Sequence, residues 1–266
     1  PSGTKMLFGG SLRCEMWDIW LENNQFSGSI PPELGNLTAL SVLHLNNNLF
    51  TGEVPTSFVN LENLYNSGEY SNGDDGLDLD YNALTVPTGY PVAGNPLHDF
   101  LITKDPNWHL RQTIEEVIGS GGGEMTSLDG TVNIIVPPGA VGDNTTFTFT
   151  PQRSPNSNIG KLAFAHNSFQ LTAADGLGDP VTIFAQPVTV TITYDEAMLG
   201  LPEESLKLYY WDTTMTTWLD AVTTCDPVGE YTRDLGDNTF SLEICHLSEF
   251  AALSDAPRIF LPAVMR

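Results

Sequence analysis

The stretch NGDDGLDLD carries four carboxylates, Asp74, Asp75, Asp78 and Asp80, in one short loop. Hard oxygen ligands at that density suit Ca²⁺, and an acidic loop of this kind serves equally as a solvated surface. Ca²⁺ is the one ion these side chains suggest, and no organic cofactor is expected. Histidine, the usual base near neutral pH, is scattered over His44, His98, His109, His166 and His246. There is no G-x-S-x-G, H-E-x-x-H, P-loop or EF-hand loop in the chain. The adjacent carboxylates Glu115–Glu116 and Asp195–Glu196 read as solvated faces rather than acid/base pairs. The expectation is a protein without catalytic residues that acts through its surfaces.

The elements that would present those surfaces repeat in the first half. A shift of 24 residues lays Met16 on Leu40, Ile19 on Leu43, Leu21 on Leu45, Asn24 on Asn48 and Phe26 on Phe50. Gly28, Ile30, Pro31, Leu34 and Leu37 fall likewise on Gly52, Val54, Pro55, Phe58 and Leu61. A degenerate third copy, LDLDYNALTVP, follows the insertion YNSGEYSNGDDG, and in it Leu77, Leu79, Asn82 and Leu84 keep the pattern. Each copy supplies a short strand whose leucines enter a stacked core completed by its neighbours. Asn24, Asn48 and Asn82 would form a ladder satisfying backbone groups at the turns. The segment LHDFLITKDPNWHL is expected to cap the stack, whereas MLFGGSLRC is too brief to cap its front, which leaves an open edge.

The pattern resembles leucine-rich repeats of the plant type, marked by the G-x-[IV]-P step. In that register the residues between the leucines face a concave surface: Asp18, Trp20 and Glu22, then Val42, His44 and Asn46, then Gly76, Asp78 and Asp80. An acidic patch with a central Trp–His pair suits a peptide, a glycan or Ca²⁺; a merely solvated face is the plainer reading.

From about Ile118 the texture changes. Strict alternation in TTFTFT and PVTVTITY has the period of half-buried strands. Turn residues punctuate at the spacing of an all-β sandwich. The words GGGEMTSLDGTVNIIVPPGAV and CHLSEFAAL resemble a ZU5-like domain over roughly residues 118–252. That resemblance implies an antiparallel sandwich used for structure or protein contacts, as in secreted bacterial surface proteins. It also raises a minor alternative. His246-Leu247-Ser248 is similar to the His-Phe-Ser word at which some related domains cut their own backbone, here at Leu247-Ser248, with leucine in place of phenylalanine.

Cys225 and Cys245 bracket a hairpin-like segment and read as a disulfide, with a metal site shared with His246 as runner-up. Cys14 is left over. A disulfide favours an extracellular setting. Asn36-Leu37-Thr38 and Asn144-Thr145-Thr146 are glycosylation sequons. Against 33 acidic residues stand 10 basic ones, a net charge of −23, which disfavours nucleic acid. No apolar run reaches the ~18 residues of a spanning helix, so no membrane insertion is expected.

These readings give a mainly β chain: a short leucine-rich-repeat solenoid with its cap (1–115), an antiparallel ZU5-like sandwich (116–253) and an apolar tail (254–266). The expected function is that of a non-catalytic extracellular structural protein, a bacterial surface or filament subunit. The open edge and the tail residues Ile259, Phe260 and Leu261 would join copies head to tail. The alternative is a monomeric adhesin that binds another surface protein, a peptide or a glycan through Trp20, His44 and Asp78.

Overall fold

The computed structural model of the protein describes residues 16–70 and 74–255. The chain divides into two compact units, Pro1–Thr113 and Ile114–Arg266. Cys14 and the tail residues Ile259, Phe260 and Leu261 lie outside the described residues.

In the first unit each repeat contributes two short strands. They are β1 (Asp18–Trp20) and β2 (Ser27–Ser29), β3 (Val42–His44) and β4 (Leu49–Gly52), then β5 (Leu77–Asp78) and β6 (Ala83–Leu84). Odd strands pair with odd in a parallel ladder β1-β3-β5, and even strands pair in β2-β4-β6. Ile19, Leu43 and Leu77 stand side by side across the first ladder. Leu43, Leu45, Leu77 and Leu79 are fully buried beneath it. At the G-x-[IV]-P step Gly28 and Gly52 take φ of +81° and +78°, a left-handed conformation that costs an L residue with a Cβ.

The asparagine ladder forms as the spacing predicts. Asn48 Oδ1 accepts from Phe26 N at 3.1 Å, and Asn82 Oδ1 accepts from Phe50 N at 3.1 Å. Asn82 Nδ2 donates to the carbonyls of Leu45, Leu79 and Asp80. The next rung is not an asparagine: Gln112 Oε1 accepts from Leu84 N, while its Nε2 donates to Leu79 O and Trp108 O.

The cap is helix α1 (Pro96–Lys104), started by Asn95, whose side chain accepts from Leu97 N and His98 N. A single 3₁₀ turn, Trp108–Leu110, follows and buries Trp108 in the repeat core. Asp105 then closes the ladder edge by accepting from Leu79 N at 2.7 Å, where a further strand would offer a carbonyl.

The second unit consists of antiparallel sheets. Its strands are β7 (Ile114–Ile118), β8 (Gly123–Thr126), β9 (Val132–Val136), β10 (Thr145–Pro151), β11 (Ala163–Ala174) and β12 (Ile183–Thr193), then β13 (Lys207–Asp212), β14 (Thr217–Asp220), β15 (Thr232–Asp234), β16 (Thr239–His246) and β17 (Glu249–Ser254). One sheet runs β14-β13-β17-β11-β10-β7 and the other β15-β16-β12-β9-β8. Both contribute inward residues to one core: Phe147, Phe149, Phe169 and Phe250 from the first, Ile134, Val190, Ile192 and Leu242 from the second. The alternation in TTFTFT and VTVTIT resolves as read, with the threonines between these positions turned away from the core.

Candidate functional site

The β1-β3-β5 ladder turns its leucines inward, so the intervening side chains share the opposite face. Trp20, His44 and Asp78 align across it as Cα partners. Asp18 and Glu22 flank Trp20 along the chain, Val42 and Asn46 flank His44, and Gly76 and Asp80 flank Asp78. Three edges of this grid are acidic, and no Lys or Arg falls within it.

The insertion between the second and third repeats folds against this face. A Cβ on Gly76 would come within 2.5 Å of the backbone N and O of Tyr65, so only glycine admits that close approach. Tyr65 N donates to Ser41 O at 3.1 Å, which fixes the start of the insertion to the second repeat. The result is a run of aromatic rings: Trp20 meets His44 edge-on at 4.5 Å and Tyr70 at 5.7 Å, and Tyr70 meets Tyr65 at 5.4 Å. His44 Nε2 lies 2.9 Å from Asp75 O, a bond that orients the imidazole under Trp20.

The face therefore differs in extent from the nine positions that the register suggests. Val42, His44, Asn46 and Gly76 are buried. Trp20 remains 39 % exposed and Tyr65 43 % exposed, while Asp18, Glu22 and Asp78 are half-buried. Tyr65 and Tyr70 carry no repeat signal; a dense pair of tyrosines in an otherwise polar insertion is the trace they leave in the sequence.

At the far edge of the face, Asp78 and Asp80 meet Asp105 of the cap, one carboxylate oxygen of each lying within 4.8 Å of the others. Asp74 and Asp75, the other acids of the loop, are used differently. Asp75 Oδ1 accepts from Gly68 N, and Asp74 O accepts from Tyr70 N. Arg111 donates to Asp80 Oδ2 at 2.5 Å. Burial pushes the Asp105 carboxyl well above the usual carboxylate range, and the charges of Asp80 and Asp78 push it the same way. Burial alone would lower the Arg111 guanidinium, but Asp80 beside it holds it above its ordinary value.

In the second unit Cys225 and Cys245 are joined in a disulfide with a Cα–Cα distance of 5.0 Å, which consumes both thiols as metal ligands. His246, Leu247 and Ser248 lie where β16 gives way to β17. Ser248 Oγ donates to Trp211 O at 2.9 Å, whereas His246 Nδ1 lies 3.3 Å from Leu247 O and its ring stands edge-on to Tyr210. The serine hydroxyl is thus engaged by a carbonyl of β13. A cavity of about 420 Å³ opens beside these residues, lined in part by Gln170, Trp211, Asp212 and Glu249. Its acids are occupied: Glu249 accepts from Asn156 N, and Asp212 from Thr214 N and Met215 N. Both sequon asparagines, Asn36 and Asn144, are exposed. Among the described residues, no helix is long and apolar enough to cross a membrane.

The family model for the Leucine Rich Repeat matches residues 17–37 and 39–61. These are the first two copies of the pattern, and the chain carries leucine-rich repeats there. Comparison with curated proteins returns no match.

Proposed function

We propose that the protein is a non-catalytic extracellular recognition module that binds a peptide or glycan partner on the face of its repeat ladder around Trp20. The observation that carries this reading is the aromatic run of Trp20, His44, Tyr70 and Tyr65, with Trp20 and Tyr65 each more than a third exposed. A half-exposed tryptophan backed by fixed rings offers a flat apolar plate at small entropic cost, the kind of surface that anchors partners. Leucine-rich repeats are in general a protein-contact motif, which agrees with this use. The acidic flanks Asp18, Glu22 and Asp78 would add hydrogen-bond acceptors around the plate.

In this reading the first unit is a short solenoid that presents the face, and the second a ZU5-like sandwich that holds it at a bacterial cell surface. The disulfide supports an oxidising setting. The test is molar mass in solution by light scattering on the whole chain. A single species of 29.0 kDa is the expected result. A broad, very large species that disappears when residues 257–266 are removed would assign the function to head-to-tail assembly instead.

A further inference from the structure

The acids of the ladder face are not equivalent. At the end next to the cap, Arg111 pairs with Asp80, and Asp78 Oδ1 accepts from Asp80 N. Those acids are served from within the chain. At the first-repeat end stand Asp18 and Glu22, two residues before and after Trp20. The parallel pairing of β1 runs on past Trp20: Leu21 N donates to His44 O at 2.9 Å, and Asn23 N donates to Asn46 O at 3.1 Å. Alternate residues of an extended chain share a face at a spacing of roughly 6.6 Å. Asp18, Trp20 and Glu22 therefore stand in file, with the indole between two carboxylates.

Neither of these carboxylates is balanced. Among the described residues, Asp18 and Glu22 take part in neither ion pair, and Glu22 Oε2 is buried without a hydrogen-bond partner. A carboxylate oxygen withdrawn from water without a donor is costly. Trp20 is held from within by His44, edge-on at 4.5 Å, and by Tyr70 at 5.7 Å, yet 39 % of it stays open. Such an indole draws a cation by two routes. The negative face of the ring attracts positive charge, and so do the carboxylates at both its edges.

We propose that the ligand of this face is a peptide that presents an arginine, whose guanidinium lies on the open part of Trp20 and donates to Asp18 and Glu22. This assignment rests on the reading of the Trp20 face as the recognition surface and names the chemistry it recognises. Arginine fits better than lysine. A planar guanidinium stacks on an aromatic ring while its in-plane N–H groups reach carboxylates, whereas an ammonium is a compact, strongly hydrated point charge. A neutral sugar stacks on an indole as well but brings no positive charge for the two acids. A second copy of the chain is a poor occupant, because each copy carries a net charge of −23.

The test screens the whole chain against capped peptides of varied sequence and a glycan array, at about 0.15 M ionic strength to screen long-range attraction. The strongest peptide is then remade with citrulline for arginine, which keeps the shape and removes the charge. Arginine in the bound peptides is the expected result, with at least about a tenfold loss on the change to citrulline. Glu22→Gln and Asp18→Asn should each weaken the arginine peptide about threefold or more. Asp237→Asn, which alters an exposed acid of the other unit, should bind like the parent. Circular dichroism checks that the variants fold; if Glu22→Gln does not, Asp18→Asn decides alone. Binding that Trp20→Ala abolishes but that glycans or citrulline peptides support equally would overturn the arginine assignment and leave the recognition reading standing. An equal loss in Asp237→Asn would overturn it too, since that marks attraction by net charge. No binding at all, or binding that survives in Trp20→Ala, would overturn both.

Discussion

The two units solve the same problem, satisfying a β backbone, by different means, and the difference shows in how the side chains beside each candidate surface are used. In the sandwich unit strands satisfy one another, and the polar side chains beside its cavity are already engaged: Ser248 by Trp211 O, Glu249 by Asn156 N, Asp212 by Thr214 N. In the repeat unit the ladder has ends. Side chains must stand in for the missing strand, as Asp105 does for Leu79 N and Gln112 for Leu84 N. Closing an edge this way gathers charge, and folding the insertion onto the face gathers rings. Chemistry accumulates where the regular pattern is interrupted, and the recognition face proposed above lies on the repeat unit for that reason.

The comparison breaks most visibly through the asparagine ladder. Asn82→Ala removes one acceptor and three donor contacts among buried groups. At about 1–3 kcal/mol for each buried group left unpaired, a loss of roughly 3–4 kcal/mol is expected from the repeat unit. Urea unfolding followed by separate probes of the two units should show the sandwich transition unmoved. A transition shifted equally in both would mean that the units do not unfold independently.

The converse experiment is reduction of the Cys225–Cys245 disulfide, which closes a loop with a sequence separation of 20. Releasing it should cost the sandwich about 3 kcal/mol by the loop-entropy account and leave the repeat unit's melting unchanged. Thermal unfolding with and without a reductant reads both.

A smaller effect sharpens the contrast in alkali. Burial, and then the hydrogen bond to Glu203, push the Tyr194 hydroxyl up to about 12. Burial likewise raises Tyr231, which donates to Asp220 Oδ1 at 2.8 Å. A folded value above the unfolded one near 10 means the stabilisation is complete below pH 10 and is lost as pH rises through the folded value. The sandwich should therefore lose stability from pH 10 toward 12, and Tyr194→Phe should flatten that slope. An unchanged slope in the variant would contradict the assignment.

How far the sequence carried these conclusions differs between the units for physical reasons. The 24-residue period is legible because each leucine and each Asn48-type residue makes the same contacts in every turn of the chain. The alternation of TTFTFT is legible because a strand between core and solvent has period two. The segment LHDFLITKDPNWHL was readable as a cap, but neither the burial of Trp108 nor Gln112 as the last rung of the ladder was. It sits outside the repeat, and a longer side chain reaches the place an asparagine would occupy. Asp105 was hidden for the same reason: nothing local links it to Asp78 and Asp80, which it meets only when the cap docks. The register placed Trp20, His44 and Asp78 in one row, and they are in one row. It gave no sign that the insertion would cover Gly76 and bring Tyr70 to Trp20, because that contact depends on a non-repeating segment.

The most direct test of the division between the units is binding of the whole chain to peptide and glycan arrays, with Trp20→Ala and Trp211→Ala measured alongside. Trp20 lies on the ladder face and Trp211 lines the sandwich cavity. The account predicts array binding by the parent chain, at least a tenfold loss in Trp20→Ala, and unchanged binding in Trp211→Ala. Binding that survives in Trp20→Ala, or that fails in Trp211→Ala, would contradict it, as would a parent chain that binds nothing.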